Sequence, residues 1–266
     1  MNGLADPDES RTAVVTGASA GLGRAIAVSL GGLGWKVALG ARRAEQLEET
    51  AHLVQAAGGT PFAHALDVCR PESIDAFFAA ATAALGPVDT LVNNAGIAAP
   101  GLMHEMSDDE HEQILATNLL GPILITKRVV ADLRRRAAAG DIVFISSDAT
   151  EHPRPFLGTY GISKTGLEAF ATTLALECED VPIRSSIVRV GPTLTGFAEG
   201  WDLEQFAAII PHWQRFGIQR HFNMMQPEDI ARAVVSIVTA PPHMWTRLVE
   251  VQPLPPTVEQ PEEPAI

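Results

Sequence analysis

Tyr160 is the only tyrosine in the chain, and Lys164 follows it four residues later in Tyr160-Gly161-Ile162-Ser163-Lys164. Residues at i and i+4 share one face of a helix. A phenol with its ordinary pKa near 10 is a poor acid or base at neutral pH. An ammonium beside it stabilises the phenolate and lowers that pKa, so the pair can pass a proton to and from a substrate oxygen. An isolated Tyr–Lys pair usually means no more than two surface side chains. What argues for chemistry is the company it keeps. Ser147 closes an apolar run 13 residues before Tyr160, and Asn93-Asn94-Ala95-Gly96 closes another. The carboxyl ends of parallel strands are where ligands sit in open α/β sheets.

A second constellation is Thr16-Gly17-Ala18-Ser19-Ala20-Gly21-Leu22-Gly23, between a short apolar run and a helical pattern. Glycines there allow a tight turn and close backbone approach, and the helix N-terminus offers free N–H groups to a pyrophosphate. Gly17-Ala18-Ser19-Ala20-Gly21 also fits GxSxG, the nucleophile elbow of hydrolases. An elbow follows several strands, whereas one precedes Ser19, and no downstream histidine stands out, so that alternative is set aside. A nucleotide turn continues, roughly 20 residues on, to an acid that holds the ribose 2′-hydroxyl. That position falls at Ala41, with Arg42 and Arg43 directly after it. Guanidinium groups suit a 2′-phosphate, which favours NADP(H) over NAD(H). Cations are also unfavourable at the start of a helix unless an anion binds there.

The elements that must position these groups alternate. Strands are expected over 12–16, 36–41, 60–66, 90–93, 141–146, 182–190 and 247–251. Helices are expected from the glycine turn to about residue 33, then over 71–85, 108–139 without a break, 159–179 and 227–239, with another after the second strand. Strand–helix alternation at this spacing implies βαβ units: an α/β, Rossmann-type, doubly wound parallel sheet in one domain, 11–252. An aromatic-rich segment at 196–223, with Phe197, Trp201, Phe206, Trp213, Phe216 and Phe222, interrupts the alternation as a lid-like insertion. Residues 1–10 are acidic and 253–266 are rich in proline and glutamate, so both are expected to be flexible.

Bulk composition narrows the partners. The 266 residues are 46% hydrophobic and carry a net charge of -13, which fits a globular protein whose surface repels nucleic acid. Residues 1–10 lack the apolar stretch of a signal peptide, and no apolar run reaches about 18 residues, so no membrane span is expected. Cys69 and Cys178 form no CxxC pair, which suits small thiols in a reducing cytoplasm.

In order along 11–251, the TGxxxGxG turn, Asp67-Val68, Asn93-Asn94-Ala95-Gly96, Asn118, Ser147 and the Tyr160–Lys164 pair together resemble the short-chain dehydrogenase/reductase family. Each motif alone is modest; their ordered conjunction is specific. The resemblance implies hydride transfer between a nicotinamide cofactor and a carbonyl/alcohol pair, with Tyr160 as acid–base. Lys164 would lower the Tyr160 pKa and bind the nicotinamide ribose, Ser147 would polarise the carbonyl, and Asn118 would hold a relay water. Gly17, Ser19 and Leu22 would line the phosphates, with Gly21 and Gly23 in the same turn. Asp67 and Val68 would meet the adenine, Asn94 with Ala95 and Gly96 the adjoining ribose, and Gly191, Thr193 and Thr195 the carboxamide. Two departures stand out. Val190 replaces a proline before Gly191, so that loop is expected to be looser. Glu250-Val251-Gln252-Pro253 replaces a Gly-Gly, which puts the usual tetramer contact in question and leaves a dimer through the two long helices; the assembly expected is a homodimer or homotetramer.

Other features are assigned bland roles. His104, His111 and His152 lack metal-ligand spacing and are expected on loops or the surface, so no metal is expected. Asp148 is expected in a turn, and Arg134-Arg135-Arg136 as a solvated helix end. The aromatic segment over the site points to a small, fairly apolar substrate. A nucleotide-binding sensor without turnover, and a lyase or epimerase on the same fold, are the alternatives to an oxidoreductase.

Overall fold

The computed structural model describes residues 11–195, 201, 203–218 and 220–257. The expectations placed on 1–10, on Phe197 and on the end of the tail lie outside the described residues. Seven strands form one sheet: β1 (Thr12–Thr16), β2 (Lys36–Ala41), β3 (Thr60–Ala65), β4 (Thr90–Asn93), β5 (Gly140–Ser147), β6 (Ile183–Val190) and β7 (Leu248–Val251). Their order is β3-β2-β1-β4-β5-β6-β7, and all pairs are parallel. The order reverses between β1 and β4, which is where a crevice opens above the carboxyl ends of such a sheet.

Parallel strands covered on both faces need apolar residues on both, and this chain supplies them. Val15, Leu39, Val143 and Val188 face one core with α1 (Gly21–Gly31), α2 (Ala44–Ala56) and α8 (Pro227–Val238). Val14, Leu91, Phe144 and Ile187 face the other, with α3 (Pro71–Leu85), α5 (Gly121–Arg136) and α6 (Gly158–Glu177). Pro71 and Pro227 open their helices, where the missing N–H costs nothing. At α4 (Asp108–Leu115) Ser107 and Glu110 form a reciprocal capping box.

The expected continuous helix over 108–139 is broken. Residues 116–120 form a π-turn between α4 and α5. Pro122 follows at once; proline removes a helical hydrogen bond and crowds the carbonyl four residues back, that of Asn118. A π-turn absorbs such a defect. By length and hydropathy alone 108–136 passes for a membrane span, contrary to expectation. In the fold Ile125, Val129 and Leu133 of this stretch are buried in the protein core, which accounts for its apolar character. The three arginines that end it are also more than a solvated end: Arg134 pairs with Asp180, Arg135 with Asp132, and Arg136 with Asp132 and the Val88 carbonyl.

Candidate active site

The carboxyl ends of β1, β2, β4, β5 and β6 open on a single cleft of about 550 Å³. One half is built by the turn from β1 into α1. Gly17 and Gly21 have φ of 68° and 54°, the left-handed region that a side chain strains. A Cβ on Gly17 would lie 2.9 Å from the Ala95 Cα; one on Gly23 would lie 2.3 Å from the Gly17 oxygen and 2.5 Å from Asn94 Nδ2. Gly23 is therefore a packing residue beneath the turn and does not line the cleft, while Gly17, Ser19, Gly21 and Leu22 do. Helix α1 starts with no side-chain cap and no acid in its first turn. Its free N–H groups and dipole thus face the cleft uncompensated, which fits a phosphate-bearing group.

Asn94 sits in the cleft wall, but its amide is committed to the scaffold. Nδ2 donates to the Thr16 carbonyl at 2.8 Å, and Thr16 Oγ1 accepts from the Asn94 and Ala95 N–H groups at 3.0 Å each. Arg43 lies just before α2 and donates from Nη2 to Ser19 Oγ at 3.1 Å. The Ser19 hydroxyl thus faces a guanidinium rather than a histidine. Arg42, Asp67 and Val68 also line the cleft, Gly96 lines it near Lys164, and Gly191, Thr193 and Thr195 line it after β6, Thr195 lying against Gly21. The loop after Val190 is not slack up to Thr195. Gly191 N–H donates to the Val251 carbonyl, Leu194 N–H to the Met225 carbonyl, and Thr193 Oγ1 to the Gly191 carbonyl. Val190 keeps β6 paired to its end, so backbone bonds supply what a proline would have imposed.

The other half holds Ser147, Tyr160 and Lys164. Ser147 ends β5, accepts from the Ala149 N–H at 3.2 Å and hydrogen-bonds Tyr160. Tyr160 lies in the first turn of α6, packed with Leu157, Ile209 and Trp213. Lys164, one turn on, donates from Nζ to the Ile145 carbonyl at 2.9 Å and lies 5.8 Å from the centre of the Tyr160 ring. Asn118 is buried behind the cleft. It clamps Ile97, accepting from its N–H and donating to its carbonyl at 2.8 Å each, and donates to Ser163 Oγ at 3.1 Å. The π-turn thereby ties the loop after β4 to α6. Gly96 lies at that corner, where a Cβ would make only ordinary contact with Lys164 Nζ, at 3.5 Å.

The electrostatics reverse one expectation. Burial pushes the Tyr160 phenol up to about 12, with the Ser147 hydrogen bond opposing. Burial also pushes Lys164 down to about 8, against the pull of Glu168. The ammonium is held by Ile145 and set off from the phenol, so loss of water outweighs its attraction. Glu168 would itself be raised by burial, but hydrogen bonds from Arg189, Ser146 and Thr150 hold it below the usual carboxylate range. A consequence can be measured. Between about 8 and the ordinary 10.5, the unfolded chain keeps a proton on Lys164 that the fold releases. Stability without ligand therefore rises with pH through that window. Tyr160 opposes this above 10, since its folded value is raised. Denaturant midpoints of wild type and Lys164→Met, from neutral to about pH 10, should show wild type gaining on the variant by on the order of 2 kcal/mol. A difference that stays constant with pH excludes the depressed lysine.

Three lining residues had no signal in sequence. Leu157, Ile210 and Met224 join Trp201, Phe206, Trp213 and Phe222 as an apolar wall. Its backbone is α7 (Leu203–Arg215). Phe216, expected in the same layer, is exposed and does not line the cleft. Asp148, assigned to a turn, does begin a short 3-10 segment, but it is also buried and paired with Arg154. His111 meets Thr159 Oγ1 at 2.6 Å, and His104 and His152 are exposed.

Comparison with known proteins agrees with this geometry. The model of the short chain dehydrogenase family matches residues 11–205. The chain is 32% identical over 247 residues to the glycine betaine reductase ATRR of Emericella nidulans, covering 93% of this chain and 19% of that protein. It thus spans about a fifth of that relative's length. It is 32% identical over 238 residues to the 2,3-dihydro-2,3-dihydroxybenzoate dehydrogenase of Bacillus subtilis, covering 87% of this chain and 90% of the relative. Among solved structures, the alcohol dehydrogenase of the archaeon Thermococcus sibiricus, complexed with 5-hydroxy-NADP, superposes with a TM-score of 0.79 at 30% identity, over 95% of this chain and all of that one. By its matched residues, its parallel sheet and the placing of its glycine turn, this chain belongs to the short-chain dehydrogenase/reductase family of oxidoreductases.

Proposed function

We propose that the protein interconverts a ketone or aldehyde and the corresponding alcohol using NADP(H), with Tyr160 as general acid–base. The observation that carries this is the hydrogen-bonded Ser147–Tyr160 pair, in the same cleft as the glycine turn and beside a wall of apolar side chains. Arg42 and Arg43 at the mouth of that turn, with Ala41 where an acid would stand, favour the 2′-phosphate of NADP(H). Several solved relatives hold NADP or NADPH. The bound nicotinamide supplies or accepts the hydride.

The chain's residues do the rest. Ser147 donates a hydrogen bond to the substrate oxygen and orients it. Tyr160 gives that oxygen its proton in reduction and takes it back in oxidation. In reduction Tyr160 must start as the acid, and a phenol carries its proton at neutral pH. Lys164 holds the nicotinamide ribose, and Asn118 keeps the floor of the site in register. Trp201, Phe206, Ile210, Trp213 and Phe222 act as a lid and favour a small, fairly apolar substrate. Exposed Leu120, Ile162 and Leu176 at the long helices support a homodimer or homotetramer. Two free thiols suit a cytoplasmic location.

The test is the nicotinamide absorbance with NADPH and a panel of apolar ketones and aldehydes. Consumption of NADPH matched by alcohol formation is expected. Product formed with no net change in absorbance would mean lyase or epimerase chemistry, and tight NADPH binding with no turnover would mean a sensor.

A further inference from the structure

Asp148 and Arg154 both stand on the segment between β5 and α6. Asp148 directly follows Ser147, and Arg154 lies six residues before Tyr160. Arg154 grips Asp148 with both terminal nitrogens, Nη1 to Oδ1 at 2.8 Å and Nη2 to Oδ2 at 2.7 Å. The two side chains are 13% and 6% exposed, yet both line the cleft. Trp213 of α7 covers the guanidinium, its ring centre 5.6 Å away. The indole is fixed in turn by donating from Nε1 to the Pro155 carbonyl at 2.9 Å. The same carboxylate touches the reaction centre, because Ser147 Oγ donates to Asp148 Oδ1 at 3.3 Å.

A bare carboxylate at this place would hinder the chemistry in two ways. It would be the strongest acceptor within reach of the Ser147 proton, which the substrate oxygen requires. It would also set a negative charge beside the phenol and oppose its ionisation. A bidentate guanidinium cancels the charge and competes for the carboxylate, which still accepts from Ser147 Oγ at 3.3 Å. We propose that Arg154 is a positioning residue: by pairing with Asp148 it neutralises the charge beside Tyr160 and weakens the carboxylate's hold on the Ser147 hydroxyl, which the substrate oxygen needs. This rests on Tyr160 being the acid–base.

Among the described residues, the remaining charged groups near Tyr160 do not duplicate the pair. Lys164, on the same helix, is turned to the Ile145 carbonyl, and Glu168 is bound by Arg189 of β6. Arg189 is also paired with Glu151 and with Glu250 of β7. From α4, His111 meets Thr159 rather than the phenol. From α7, the buried neighbours of Tyr160 are Ile209 and Trp213, while His212 packs on Phe156. Gln252, after β7, approaches Asp148 Oδ2 at 3.4 Å but carries no charge. Asp148 raises and Arg154 lowers the Tyr160 pKa, so the two work against each other on one phenol.

The single tyrosine makes the test direct, since the phenolate absorption band reports Tyr160 alone. It is read immediately after a pH jump on the full chain, before the fold can respond. Asp148→Asn should ionise with a midpoint about one pH unit lower than wild type, and Arg154→Met about one unit higher. The double variant should return to the wild-type midpoint. A residue that only braced the loop would leave all three midpoints together, and that result, or a double variant no closer to wild type than the singles, overturns the proposal. If Arg154→Met fails to fold, Asp148→Asn and the double variant still decide, by a lowered midpoint and its restoration. The titration needs neither substrate nor cofactor. Absence of turnover therefore bears on the acid–base reading alone, and an unmoved phenol on Arg154 alone.

Discussion

Tyr160→Phe should lower kcat/KM for carbonyl reduction by about 10²–10⁴-fold, the usual contribution of a positioned acid–base. The substitution removes one oxygen and keeps the ring that packs against Leu157, Ile209 and Trp213. It leaves Ser147 without its tyrosine partner, a loss of roughly 1 kcal/mol for one hydrogen bond. The fold and the glycine turn are untouched, so NADPH affinity should stay within about threefold of wild type. Titration of NADPH fluorescence and steady-state rates on the same preparation separate the two effects. Retained activity in this variant removes Tyr160 from the mechanism. Lost activity together with lost NADPH binding would point to a collapsed site and not to a missing proton.

Cofactor choice should turn on Arg42 and Arg43. Both are exposed at the cleft mouth, and Arg43 already reaches Ser19 in the glycine turn. Exposed charge-assisted contacts are worth less than buried ones, so each guanidinium is assigned about 1 kcal/mol toward a 2′-phosphate. The double variant Arg42→Ala/Arg43→Ala should weaken NADPH by roughly 30-fold, while NADH, which lacks that phosphate, changes by less than about threefold. The effect on NADPH should shrink as salt is raised, because the contacts are screened. Equal weakening of both cofactors would mean that the arginines support the turn and do not select the nucleotide. The chain's net charge of -13 makes the local pair more telling, since the global field opposes any anionic ligand.

The arrangement also explains why the pKa values of Tyr160 and Lys164 move apart from their ordinary order. Tyr160 and Lys164 share a helix face, as their spacing required, but each is wrapped in protein and each favours its neutral form. Spacing says which side chains are neighbours. It does not say how much water they lose, and here lost hydration outweighs mutual attraction.

The sequence by itself determined the alternation of strands and helices, the glycine turn, and the convergence of Ser147, Tyr160 and Lys164 on the carboxyl ends of the sheet. These are local properties: apolar runs, turn glycines and an i, i+4 spacing each act within a few residues. Tertiary structure decided the rest. The π-turn at Asn118 answers to Pro122 and to a clamp on Ile97, 21 residues away, which helical periodicity cannot register. Asn94 holds Thr16, and Gly23 makes room for Asn94 and the Gly17 carbonyl, because the loop after β4 crosses the β1 turn at van der Waals distance. The wall of α7 residues over Tyr160 and the grip of Arg154 on Asp148 join parts of the chain that share no motif. Charge balance and hydration depend on what surrounds a group in space, and only the packed fold sets those surroundings.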